Sequence, residues 1–315
     1  MQVIQMLGAR LRRARSKMIK NKTGFIIGAG ASKSYEMPTG RELRDRIISQ
    51  KANAGYFQGL KINGYDKTKF ESFCFSFEKS NVFSIDKYLN LHPEFMLEGK
   101  LTIAFTIKQA EIHSYEILTK LDWLQYLYNS LIDDIPSNDE YDKINQNKVY
   151  FCTFNYDRLL EYFIASSFFY SFNQNKNVQQ LFTDNQFENI SKNFSFKIDH
   201  VYGMIGNIFV NRIDDDQEGN VVSYFNDIQL IKEREKDISH ILERLELCER
   251  IFFLGYGFNK ENNDLLELSR ICKGKMIYAT AYHAVPEEIN NIVSIIGNTT
   301  KIEDCSCYEL LRKYL

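Results

Sequence analysis

Two rhythms of apolar residues alternate along the chain. Five short, nearly continuous apolar runs stand out: Thr23 to Gly28, Val149 to Thr153, Phe196 to Tyr202, Arg250 to Gly255 and Lys275 to Ala281. Runs this short, with little polar alternation, fit strands buried on both faces of a parallel sheet. Most are followed by helix-compatible sequence: Leu43, Ile47 and Ile48 share one side after Thr39, and Asp157 to Phe169 and Asn262 to Cys272 follow later runs. Strands alternating with helices predict βα units.

Residues 51 to 145 have a different character. Phe70, Phe73, Phe75 and Phe77 lead into Ser84-Ile-Asp-Lys-Tyr-Leu89, and Ile117 to Ile132 carries a helical period around Trp123. This predicts a mostly helical insertion, a cap or second lobe. Asn-rich stretches at Asn173 to Asn193 and Asp214 to Asn220 predict loops. The expected organisation is a basic N-terminal helical arm (1–22), a core made of 23–50 and 146–315, and the insertion 51–145.

Composition narrows the classes. The 315 residues are 44% hydrophobic, enough for a core without disulfide or metal staples. Lys and Arg number 39 against 41 Asp and Glu, so no global excess of positive charge argues for wrapping nucleic acid. The balance is uneven, however. Met1 to Lys22 carries Arg10, Arg12, Arg13, Arg15, Lys17, Lys20 and Lys22 with no acid, and Val3, Ile4, Leu7, Leu11 and Met18 fit one helical face. Such a segment reads as a helix packed on the body or docked on a partner subunit or nucleic acid. An Arg-rich, acid-poor start also has the composition of a transit peptide, but the first strand follows without a cleavage-like spacer. No apolar run approaches the ~18–20 residues that span a bilayer, and no secretory h-region is present, so a cytoplasmic protein without membrane contact is expected. The six cysteines form no CxxC pair, which argues against a zinc ribbon; no zinc is expected.

Four segments carry candidate chemistry. Gly28-Ala-Gly-Ala-Ser32 ends the first strand and opens a helix, the geometry that presents backbone N–H groups to a pyrophosphate. It departs from GxGxxG, with Lys33 at the third glycine, and from the P-loop, with Ser32-Lys33-Ser34 where Gly-Lys-Ser/Thr is needed. A tight turn with no ligand would use the same glycines. In Thr153-Phe-Asn155-Tyr-Asp157, Asn155 and Asp157 emerge beyond a strand's carboxyl end, where open α/β sheets bind ligands; either residue also suits a helix cap. In Asp199-His200-Val-Tyr202-Gly, an extended strand puts His200 and Tyr202 on one face, an imidazole and a phenol suited to proton transfer at a sugar hydroxyl. A lone histidine is also an ordinary structural residue. Finally, Leu254-Gly255-Tyr256-Gly257-Phe258 repeats the strand-to-glycine-turn pattern, followed by Asn259 and Asn262.

In this order, together with Met37-Pro38-Thr39-Gly40 and Ser84-Ile-Asp-Lys-Tyr-Leu89, these segments resemble the sirtuin-like family of bacterial proteins, many of which are NAD-cleaving effectors of antiviral defence. The resemblance spans about residues 23 to 282. It implies an α/β, Rossmann-like three-layer parallel sheet with a mostly helical insertion. Gly28, Ala29, Gly30 and Ser32 would line the dinucleotide, with Pro38 and Thr39 of the next loop and Gly255, Tyr256, Gly257 and Asn262 at the other glycine turn. Asn155 would contact the nicotinamide ribose, and Asp157 would support the pocket. Three departures stand out. Phe154 replaces a Gln, Glu36 to Arg41 lacks the aromatic that covers nicotinamide, and Tyr202 stands where the catalytic His precedes Gly. His200 would then substitute, so the candidate catalytic set is Asn155, His200, Asp157 and Tyr202.

Without zinc-ribbon ligands, protein deacylation loses its substrate cleft, whereas NAD hydrolysis needs only NAD as substrate, water and a pocket. The expected function is therefore an NAD glycohydrolase yielding nicotinamide and ADP-ribose, an effector of anti-phage defence by NAD depletion held inactive until triggered. The alternative is a regulatory subunit that binds NAD or ADP-ribose without turnover, which Tyr202 in place of His favours. A homo-oligomer and a partner ATPase or other defence subunit belong to the same expectation. Two further motifs are set aside. Asp214-Asp-Asp216-Gln-Glu218-Gly219 begins like a calcium loop but has Phe225 where the bidentate Glu belongs. Cys305-Ser-Cys307 has no basic neighbour to lower a thiol pKa.

Overall fold

Six parallel strands form one sheet in the order β3-β2-β1-β4-β5-β6. The computed structural model describes residues 18–59, 62–118, 122–183, 194–206, 228, 238–297 and 300–315. The strands are β1 (Thr23–Ile27), β2 (Val149–Thr153), β3 (Lys197–His200), β4 (Arg250–Leu254), β5 (Met276–Thr280) and β6 (Thr300–Glu303). The three central strands are buried at every position, as the continuous apolar runs require. Their register stacks aromatics across the sheet: Phe25 lies between Phe151 and Phe252 at 5.1 and 5.5 Å, and Phe252 lies 4.7 Å from Tyr278. Rings of this size remove a large apolar area from water at each step.

Helices cover both faces. Trp123–Ile132, Leu159–Phe172 and Cys307–Tyr314 pack together on one side, and Ser239–Glu246, Leu268–Ile271 and Pro286–Ile296 on the other. The result is the three-layer, Rossmann-like α/β fold that the strand pattern implies. Crossovers diverge between β1 and β4, which makes the carboxyl ends of those two strands the topological switch point.

The insertion is helical, with Lys67–Ser80 and the long helix Met96–Ile117 at its centre. Phe70, Phe73 and Phe77 share one buried helical face, while Phe75, which does not fit that period, is 53% exposed. Trp123–Ile132 is not part of that lobe; it joins the sheet's helical layer against Cys307–Tyr314. The period that spans Ile117 to Ile132 in sequence is divided between two helices, because Asp122 caps Trp123–Ile132 by accepting from the Trp123 amide at 2.7 Å.

Other differences have local causes. Lys176–Thr183 is helical within the expected Asn-rich loop, its first turn held by Asn175 and anchored by fully buried Val178. Asn262 to Cys272 is two short helices, interrupted at Glu267, whose φ is +48°. Edge strand β6 has one apolar residue, Ile302, and so gives no buried-strand signature. Residues 1–17 of the basic arm and the Asp214 to Asn220 stretch lie outside the described residues. The arm's end does pack: Met18 and Ile19 are buried, and the Ile19 amide donates to Asn147 Oδ1 at 2.9 Å.

Candidate functional site

The two glycine turns meet at the switch point. The Gly28 amide donates to the Leu254 carbonyl and the Gly30 amide to the Gly255 carbonyl, each at 3.0 Å. A Cβ on Gly28 would lie 2.6 Å from the Gly255 oxygen, and one on Gly255 would lie 1.9 Å from the Ala31 nitrogen. Gly255 also has a φ of +57°, a left-handed conformation that glycine adopts without strain. These glycines therefore serve backbone-to-backbone packing first. With the Ala31 amide bonded to the Gly28 carbonyl at 3.0 Å, three of the first turn's amides are engaged within the protein rather than presented to a phosphate.

Above the turns opens a cavity of about 840 Å³. Gly30, Gly255, Tyr256 and Gly257 line it, as the sequence suggests. Its other walls were not legible as such: Asp122 and Trp123 at the start of helix Trp123–Ile132, Tyr282 and His283 after β5, and Cys305 to Cys307 after β6. Trp123 is fixed there by its indole N–H, which donates to the Ala31 carbonyl at 2.7 Å. Burial pushes the Cys305 thiol up to about 11 and Cys307 to about 12, so both remain protonated near neutral pH.

A second, more polar constellation forms at the end of β2. Asn155 is 5% exposed, and its amide donates to Ser32 Oγ at 3.0 Å. Its Oδ1 is buried and has no hydrogen-bond partner among the described residues. Ser32 sits between Ala31 and Lys33, which line the cavity, so this bond joins the polar cluster to the cavity wall.

His200 is not where the sequence reading places it. β3 ends at His200, and the chain then turns through Val201 and Tyr202 to Gly203, whose φ is +68°. The two side chains consequently do not share a strand face. His200 Nδ1 lies 2.8 Å from the Asn155 carbonyl and Nε2 lies 2.6 Å from Glu161 Oε1, with the imidazole only 3% exposed. Burial alone would lower the His200 pKa, but the Glu161 carboxylate and the Asn155 carbonyl outweigh it and raise the value. Both ring nitrogens thus face protein groups, and the imidazole ties the Asn155 backbone to Glu161. Tyr202 donates to Asn262 Oδ1 and meets Phe154 edge-on at 5.5 Å, so its hydroxyl is also committed.

Asp157 accepts from the Leu159 amide at 3.2 Å in a local turn just ahead of helix Leu159–Phe172, whose N-cap is Arg158, so it is not the helix cap itself. Burial, reinforced by the nearby Glu111 carboxylate, pushes its pKa up to about 7. Beside it, Arg158 and Glu111 form a fully buried pair, with Nη2 to Oε2 at 2.6 Å and the Arg158 amide to Oε1 at 2.7 Å. That pair fastens the insertion's long helix to the end of β2. Tyr156 donates to Asp86, which comes from the Ser84 to Leu89 motif and whose pKa burial raises.

Other candidates have structural roles. Thr39 caps helix Gly40–Ser49 in a reciprocal arrangement with Glu42, and Pro38 is buried just before it. Asn262 holds Tyr202 while its own amide donates to Asn259 Oδ1 at 2.9 Å. Sequence reasoning missed Glu161 and Glu111, although a lone acid within the apolar stretch Leu159–Phe172 is a usable sign of a buried partner.

No group of three or more His, Cys, Asp or Glu residues is arranged to hold a metal among the described residues. No helix among them is long and apolar enough to cross a membrane. Compared with known proteins, the chain matches no family model and no curated sequence.

Proposed function

We propose that the protein is an NAD glycohydrolase that releases nicotinamide and ADP-ribose, acting in anti-phage defence by depleting NAD. The observation that supports this most is the orphaned Oδ1 of Asn155, beside the switch point of a dinucleotide-type sheet. A buried acceptor with no partner costs roughly 1–3 kcal/mol, which a ribose hydroxyl or a water donated to it would recover. The cavity of about 840 Å³ falls within the ~300–1,000 Å³ range of small-molecule sites.

In this reading the glycosidic C–N bond breaks with its electron pair leaving on nicotinamide, which neutralises the pyridinium. The ribose passes through an oxocarbenium-like state, as in glycoside hydrolysis. Asn155 orients the ribose or the attacking water through Oδ1. Asp157, ionised above about pH 7, offsets the developing positive charge and accepts the water's proton. Water's oxygen bonds the anomeric carbon and gives ADP-ribose. His200 and Glu161 keep Asn155 in place.

A second reading has a specific observation behind it: the His200 nitrogens and the Tyr202 hydroxyl are all directed at protein groups. A site without a free imidazole suits a subunit that binds NAD or ADP-ribose without turnover. Incubating the full chain with NAD and separating products distinguishes the two. Equal amounts of nicotinamide and ADP-ribose support hydrolysis; tight calorimetric binding with no product supports sensing; neither binding nor product rejects both. The homo-oligomer and the ATPase or defence partner remain part of this proposal, to be tested by oligomer mass with and without residues 1–17.

A further inference from the structure

At the opposite end of the sheet from the switch point, a second cavity of about 380 Å³ opens at the amino ends of β1, β2 and β3. Among the described residues its lining holds four cations, Lys22, Lys148, Lys197 and Arg244, and no carboxylate, in a chain whose charges otherwise nearly cancel. The parallel register explains the clustering. Thr23 pairs with Val149, so the preceding Lys22 and Lys148 start adjacent strands, ~4.8 Å apart across the sheet. Lys197 opens β3 opposite Tyr150. Arg244 is answered by Asp199, whose other partner is the Tyr150 hydroxyl at 2.8 Å. The three lysines are exposed and form no ion pair among the described residues; Asp199, two residues after Lys197, is bonded to Arg244, and Glu249 meets Lys22 through its backbone amide, which donates to the Lys22 carbonyl at 2.8 Å.

Like charges gathered in a concave site repel one another unless an anion sits among them. Val149, Phe196 and Leu247 add an apolar wall, Leu247 being 64% exposed. We infer that this cavity is a second ligand site, for a small phosphate-bearing molecule of nucleotide size. The phosphate meets Lys22, Lys148 and Lys197, and the apolar wall takes the organic part. A β-strand of five residues separates this site from the switch point by about 16 Å, so one small ligand does not occupy both. The inference does not depend on NAD cleavage.

The test uses AMP as probe on the full chain, with hydrogen exchange to locate it and calorimetry to measure it. Binding is expected to protect the amides around Lys148 to Tyr150 and Phe196 to Ile198. Lys148→Glu with Lys197→Glu, both on exposed side chains, is expected to weaken that site about tenfold or more, and raised salt should weaken it in the wild type. A single-stranded oligonucleotide, run in parallel, separates free nucleotide from nucleic acid phosphate. AMP protection confined to Gly255 to Phe258 and Ala281 to Ala284, unchanged affinity in the double variant, absence of AMP binding, or binding of the oligonucleotide alone would each overturn the proposal.

Discussion

His200 and Glu161 form a buried pair, Nε2 to Oε1 at 2.6 Å, whose second anchor is the Asn155 carbonyl on Nδ1. The arrangement converts an expected proton acceptor into a clamp. Glu161→Gln removes the charge that opposes burial, so the His200 pKa is expected to fall from above its ordinary value to below it. Imidazole NMR, with His200→Asn assigning the resonance, reads the change directly. An unaltered titration would remove His200 from this role. The sign for stability follows from linkage: the raised pKa contributes stability at low pH that is lost as pH rises through the folded value.

Asp157 gives a separate pH signature. Its pKa is about 7 when folded, against an ordinary carboxylate value near 3.8, so the folded state holds the proton more tightly. Stability from this group therefore declines between about pH 4 and pH 7 and stays reduced above, by an order of a few kcal/mol. Asp157→Asn is expected to raise the melting temperature relative to wild type at pH 8 and to change it little at pH 4. The same variant should lose NAD cleavage, while wild-type turnover climbs through about pH 7. A stability gain that is equal at both pH values would contradict the assignment.

Gly255 is the point where the two turns interlock. Gly255→Ala places a Cβ 1.9 Å from the Ala31 nitrogen at a φ of +57°, and backbone must move to admit it. A loss of at least ~2 kcal/mol is expected, read by chemical denaturation. Gly257→Ala, with nothing within 4 Å of its Cβ, is the control and should keep near-native stability.

Much of this architecture was legible in the sequence because buried parallel strands leave continuous apolar runs, and all five of those runs contain strands. The glycine turns and Asn155 were legible too, being local to strand ends. The contacts that define the polar cluster were not. Glu111 meets Arg158 across 47 positions and His200 meets Glu161 across 39, and only tertiary packing brings such pairs together. The shared face of His200 and Tyr202 failed because strand geometry stops at His200, one turn short of Tyr202. Helix Trp123–Ile132 was read into the insertion because periodicity reports a buried face without saying what buries it.

The Glu111–Arg158 pair makes a further prediction about the insertion. Glu111→Ala leaves a fully buried guanidinium without its carboxylate and is expected to cost about 3–5 kcal/mol. Replacing both residues, Glu111→Leu with Arg158→Met, should cost less than the single change, because no charge is stranded. Thermal or denaturant unfolding of the three proteins decides it; a double variant that loses as much stability as Glu111→Ala, or more, would contradict the prediction.

The central claim is that Asn155 serves a substrate through its unpartnered oxygen. Nicotinamide release from NAD by wild type and Asn155→Ala, at matched concentration and with folding checked by circular dichroism, tests it most directly. Measurable release by wild type is expected, with a drop of about 10²-fold or more in the variant and the fold retained. Equal release by the two proteins, or none by wild type in any oligomeric or partner-bound state, would contradict it.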